Sequence, residues 1–311
     1  MRITVSRKPV KVYPDPSRVI ARFFYNGDER AKDVISKVMS LNERQVFEIV
    51  SPLLQEFSKR HRNITRVFLR NCKKVQWLIE EMGYAYDEMD EFVKYLIGSY
   101  FTHEYSIESA AFFNPSIIED PDQTNLVEGE KRVIISFRAV GEGHISSVVF
   151  RRALIDAHNN IQVLPAGIYI DEADVVKNAI YNKSLFLKKA EDAGVSAEVI
   201  SNINQHLGDK FDYTQLRRLV IDEKEKQQED ADQLAYDRIL WLSDTYHEIC
   251  FSKDTDISDR VIFPISEFER KGIEDARFVR FTKEDGSITY YATYTAFDGA
   301  FIIPKLMQTD D

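Results

Sequence analysis

A chain of 311 residues, 44% hydrophobic and 30% charged, has the profile of a globular protein with apolar material for two cores. Its net charge is −10 and its basic residues are scattered, which argues against a nucleic-acid partner, whose phosphates need a coherent positive face. No window reaches 18 apolar residues and no apolar stretch follows the basic Met1–Lys8 start, which points to a cytoplasmic protein with no membrane partner. Cys72 and Cys250 lie far apart in apolar helical contexts, and the six histidines form neither HxxxH nor HExxH. Buried free thiols and no metal centre are expected.

Residues 1–25 look extended, with Ile3, Val5, Val10, Val12 and Tyr13 partly alternating up to Pro14 and Pro16. From 29 to 100 the period is helical. Val46, Ile49, Val50, Leu53, Leu54 and Phe57 form one stripe, which Pro52 should kink or restart. Ile64, Val67, Phe68, Cys72, Val75, Leu78, Ile79 and Met82 form a second that stops at Gly83, and Met89, Phe92, Val93, Leu96 and Ile97 a third that stops at Gly98. These stripes predict an N-terminal, mainly helical domain over 1–104 with no chemistry of its own.

The texture changes near 105. Arg132–Ala139 and Ile145–Leu154 are β-rich runs joined by Gly141-Glu142-Gly143-His144, and Ile161–Leu164 is a further short strand. Arg277–Thr282 and Ser287–Phe297 form a second hairpin, with Phe301–Leu306 as its third strand. Between them, 171–250 reads as a helical insertion. Asp171 or Asp174 would cap its first helix, Ser196 opens a short one closed by Gly208, and Asp212-Tyr213-Thr214-Gln215 caps a long one over 213–249. The run Asp222–Gln233 suits a solvated helix surface.

Chemistry concentrates around Gly272-Ile273-Glu274-Asp275-Ala276-Arg277, just where an apolar strand begins. Acid, arginine, tyrosine and hydroxyl together suit a hydroxyl-rich ligand, and a carboxyl at a strand end can give a proton to a glycosidic oxygen. The plain alternative is a structural pairing of Asp275 with Arg277. Phe113-Asn114-Pro115-Ser116, Ser136-Phe137-Arg138-Ala139, the box at 272–277 and Tyr291-Ala292-Thr293-Tyr294-Thr295-Ala296 follow in order. In that order they resemble glycoside hydrolase family 130, the β-mannoside phosphorylases and mannosidases built on a five-bladed β-propeller. The resemblance covers roughly 105–165 and 262–311 and leaves the N-terminal helices and the insertion unexplained.

The resemblance implies an α+β chain: the helical domain, then over 105–311 part of a five-bladed propeller carrying the helical insertion. It makes Asp275 the general acid and places Asn114 and Arg138 on a mannose-containing oligosaccharide. Glu274 and Arg277 would brace Asp275, and Tyr294 and Asp298 would contact sugar. The Glu142–His144 loop would edge the pocket, with His144 itself in solvent. No cofactor is implied; inorganic phosphate would be a co-substrate in inverting phosphorolysis, and water the nucleophile in hydrolysis. Ala276 departs from the family's proline, which relaxes the backbone before it. About six strands are too few for a closed propeller, so an N-terminal fragment, inactive by itself, is expected, with the phosphate-binding residues beyond Asp311. Competing readings are a non-catalytic interaction protein and a carbohydrate-binding module without turnover.

Overall fold

The computed structural model describes residues 5, 7–175, 180–224, 226, 230–244 and 247–310. Ile3 and part of the acidic run (225 and 227–229) lie outside them. Helix and strand occupy separate stretches, an α+β arrangement, and among the described residues the strands close no barrel. Two compact units emerge: Met1–Glu172 with Ser252–Pro264 and Glu269–Asp311, and Ala173–Phe251 with Ile265–Phe268.

In the first unit, β1 (Val19–Phe23) leads into α1 (Asp28–Met39), α2 (Glu43–Ser58), α3 (Ile64–Lys74), α4 (Gln76–Glu81) and α5 (Glu91–Tyr100). Most stripe residues pack as expected, with Ile35, Val50, Cys72, Leu78, Ile79, Leu96 and Ile97 in one core, whereas Ile49 and Phe92 stay exposed. Asn42 and Gln45 close a reciprocal capping box on α2, and Pro52 stays within that helix. The second stripe is two helices, broken at Val75 with φ −109° and ψ 11°. Helices α3 and α5 approach so closely that a Cβ on Gly98 would lie 1.9 Å from the Phe68 carbonyl oxygen.

The boundary expected at 104/105 falls inside β2 (Thr102–Ser106), which pairs antiparallel with β1 from Val19↔Ser106 to Phe23↔Thr102. Ile20, Tyr105 and Ile107 share a core with Val133, Ile135, Phe137 and Val149. Beneath them lies a buried ionic knot. Glu108, fully buried, takes Arg18 Nε at 3.0 Å on one oxygen and Arg151 at 2.6 Å on the other.

The β part holds two meanders. In the first, β3 (Ala111–Glu119), β4 (Lys131–Val140) and β5 (Ser146–Ile155) run antiparallel. The far edge of β5 carries β6 (Ile161–Val163) and then β12 (Arg260–Ile262), which also pairs parallel with β7 (Asp171–Glu172). In the second, β13 (Gly272–Thr282), β14 (Ile288–Phe297) and β15 (Ile302–Thr309) are antiparallel. The two meet where Gly272 pairs with Ser146, an approach that leaves no room for a side chain: a Cβ on Gly272 would sit 2.8 Å from that of Ser146. Val148, Phe150, Ile273, Ala276, Tyr294 and Ala296 form their common core.

The second unit contains β8 (Asp174–Val175), β9 (Ile180–Asn182), α6 (Lys183–Asp192), α7 (Ala197–His206), β10 (Lys210–Asp212), α8 (Tyr213–Lys224), α9 (Asp230–Asp244) and β11 (Ile249–Cys250). Its core is Phe186, Val199, Ile203, Phe211, Leu216, Val220, Tyr236 and Ile239. Ser196 caps α7, and Asp212 with Gln215 forms the capping box of α8. Three expectations need correction. The long helix over 213–249 is two helices, each giving side chains to one core, with the most polar stretch between them. The first helix is capped by Asn182; Asp171 instead accepts from the Ser252 N–H and Thr255 hydroxyl, and Asp174 lies in β8. Cys72 is buried as expected, with burial pushing its thiol up to about 12, but Cys250 lies exposed in the two-residue strand β11.

Candidate functional site

Strands β3 and β13 each contain the same irregularity. Between the pairs Phe113↔Arg138 and Ser116↔Ser136, two residues of β3, Asn114 and Pro115, oppose the single Phe137. Between Glu274↔Thr295 and Arg277↔Thr293, Asp275 and Ala276 oppose the single Tyr294. Each is a β-bulge, which leaves residues out of the ladder and re-aims their side chains. Each bulge opens on a non-glycine residue with positive φ, 46° at Asn114 and 55° at Asp275. Asparagine and aspartate tolerate that conformation best among side-chain-bearing residues, yet still at a cost.

The two bulges are fastened together. Arg277 donates to the carbonyls of Asn114 (2.7 Å) and Pro115 (2.9 Å), and the Phe278 N–H donates to Ser116 Oγ (3.0 Å). On the same side of β4, Arg138 reaches Glu274 at 3.1 Å and Asp275 Oδ1 at 3.4 Å. Ser146 Oγ adds a 3.3 Å hydrogen bond to the other Glu274 oxygen. Of the two carboxylates Asp275 is the more open, 42% exposed against 28% for Glu274, with Arg138 at 21%. Its Oδ1 is buried toward Arg138 and makes no hydrogen bond there, so the exposed part of the carboxyl faces away from the arginine. Such a group can give or take a proton from a bound hydroxyl while its other oxygen is held.

Five of the expected residues therefore converge: Asn114, Arg138, Glu274, Asp275 and Arg277. Their roles are distributed differently from the expectation. Arg138 engages both carboxylates, whereas Arg277 clamps the facing bulge. Two others are engaged elsewhere. Tyr294 is buried and donates to Glu269 Oε1 at 2.8 Å, beside Lys305 at 2.9 Å. Burial first, then the Glu269 charge, pushes its hydroxyl well above the usual tyrosine range. Asp298 accepts from the Phe301 and Ala300 N–H groups at 2.7 and 2.8 Å, which shape the β14–β15 turn and hold its carboxyl below its usual value. The loop at 141–144 is tied down through Glu142, which accepts from the Ser106 N–H at 3.0 Å, and His144 is exposed.

Phe113, Ser116 and Ser146 were not anticipated as members. Phe113 and Ser116 lie inside the motif at 113–116, where no role was assigned to them, and Ser146 carries no local signal. Among the described residues no group of three His, Cys, Asp or Glu is placed to hold a metal, and no helix is long and apolar enough to cross a membrane. An open concavity of about 530 Å³ lies in the second unit, among Glu198, Asn202, His206 and Glu223. Its Glu223 is already taken by Lys226 and Asn202. The chain matches no family model, no curated protein and no solved structure.

Proposed function

We propose that the facing bulges form the sugar site of a carbohydrate-active enzyme that cleaves β-mannosides, with Asp275 as its proton donor. The observation that carries this reading is the convergence of Asp275, Glu274 and Arg138 on a backbone held in two disfavoured conformations. Strain of this kind persists where the surroundings over-determine it, and it gathers at functional sites. The ordered motifs that resemble glycoside hydrolase family 130 supply the substrate class.

In the proposed reaction phosphate or water attacks the anomeric carbon as its bond to the glycosidic oxygen breaks. The Asp275 proton reaches the leaving oxygen, directly or through a sugar hydroxyl. The assay is release of mannose 1-phosphate or mannose from β-mannosides, with and without phosphate. Asp275→Asn should keep sugar affinity while turnover falls by a factor of about 10²–10⁴. Binding without any release by the parent chain would leave a carbohydrate-binding module. Full turnover by Asp275→Asn would make Asp275 a structural carboxylate.

A further inference from the structure

Three cations of the first unit, Arg22, Arg70 and Lys74, make no hydrogen bond or ion pair among the described residues. The fold nevertheless brings them together. Arg70 and Lys74 stand four residues apart on α3, hence on one helix face. The Lys74 ammonium lies 4.8 Å from the Phe23 ring centroid, and Arg22 precedes Phe23 in β1. Burial lowers the Lys74 ammonium below its ordinary value, and the Arg70 and Arg22 charges lower it further against the opposing Glu172. Three like charges are thus held within reach of one another, a repulsion that a bound anion would relieve.

An aromatic surface continues from Arg22. Its half-buried guanidinium lies over the Phe263 and Tyr105 rings, 4.5 and 5.2 Å from their centroids, which fixes its plane without using its N–H groups. His103 opposes Arg22 across the β1–β2 ribbon, and the Phe24 ring, 44% exposed, lies 5.6 Å from the His103 ring. We infer that this end of the ribbon binds a small ligand carrying phosphate and a flat aromatic ring, the chemistry of a nucleoside phosphate. Arg22, Arg70 and Lys74 take the phosphate oxygens, Arg22 with its planar fork. Phe24 offers its open face to the base. A mannoside carries no charge, so this site serves a different ligand from the one proposed for the bulges.

The test titrates adenosine diphosphate, inorganic pyrophosphate and adenosine by calorimetry into the parent chain, Arg22→Gln, Lys74→Gln and Phe24→Leu. Thermal melts check folding. Lys74 is exposed in the last turn of α3, so Lys74→Gln probes the cluster even where Arg22→Gln, which leaves two rings unstacked, does not fold. The parent should bind adenosine diphosphate more tightly than pyrophosphate or adenosine. Loss of either cation should weaken both phosphates about tenfold, as for a lost charge-assisted hydrogen bond. Phe24→Leu should weaken adenosine diphosphate about five- to tenfold and leave pyrophosphate unchanged. A parent chain that binds neither phosphate, or that binds them equally well after Lys74→Gln, overturns the site. Pyrophosphate binding as tight as that of adenosine diphosphate overturns the nucleoside phosphate as its ligand.

Discussion

Replacing Glu108 by Gln would remove the principal counter-charge of two buried guanidinium groups, leaving them only the weaker influence of Asp15 and Asp259. Glu108 is fully buried and takes Arg18 at 3.0 Å, Arg151 at 2.6 Å and the Asp15 N–H at 3.0 Å. Burial already pulls the Arg18 guanidinium below its ordinary value, with Glu108 opposing that pull. Removing one partner from a buried ion pair costs about 3–5 kcal/mol. Arg18 also donates to the Gly167 and Ser258 carbonyls at 2.6 Å each, so part of its hydrogen bonding survives. That places the loss near the low end, about 3 kcal/mol, or roughly 6–12 °C in Tm for a unit of this size. Trp77 lies in the first unit and Trp241 in the second. Urea unfolding followed by fluorescence in a Trp241→Phe background therefore reads the unit that contains the knot. The apolar replacement Arg18→Met, Glu108→Leu, Arg151→Met should recover most of the loss. A Glu108→Gln shift below about 1 kcal/mol would refute the claim that the knot depends on its central charge.

Three further outcomes can be checked. Asp275→Gly and Asp275→Ala remove the same carboxyl, but only alanine keeps the positive-φ strain, so Asp275→Ala should be less stable by about 1 kcal/mol in urea titrations. His61 is 7% exposed beside Glu104, and burial depresses it below its ordinary 6.5. Its contribution is therefore present above 6.5 and lost as pH falls through the lower folded value, so stability measured from pH 7.5 to 5 should fall less steeply in His61→Phe. A thiol reagent should modify Cys250 at once, while Cys72, buried with its thiol pushed up to about 12, should react only on unfolding.

The helical stripes were legible because each buries one face of a helix against its neighbours, so spacing alone marks them. Both hairpins were legible for the same reason at period two. What escaped was non-local. The pairing of β1 with β2 joins segments about eighty residues apart and carries no local signal. Strand β3 was hidden by Asn114-Pro115, which reads as a turn and is in fact a bulge within a strand. The division of labour between the two arginines was equally invisible. Arg277 stands two residues from Asp275 yet reaches the other meander, because the bulge between them turns consecutive side chains apart. Arg138 meets the acid from far away in sequence.

The longer segment of the second unit, Ala173–Phe251, leaves the first after Glu172 and re-enters it at Ser252. Asp171 holds the Ser252 N–H at 2.8 Å, and β7 lies against β12 just beyond. A segment whose ends are already pinned together behaves as a closed loop. The entropy of closing such a loop rises only with the logarithm of its length, by about 0.6 kcal/mol per doubling. The sheet is therefore almost indifferent to how much chain is threaded between those two residues. The segment can be lengthened, shortened or rewritten in sequence as long as Asp171 and Ser252 still meet, a freedom that Asn114 and Asp275, locked into facing bulges, do not have.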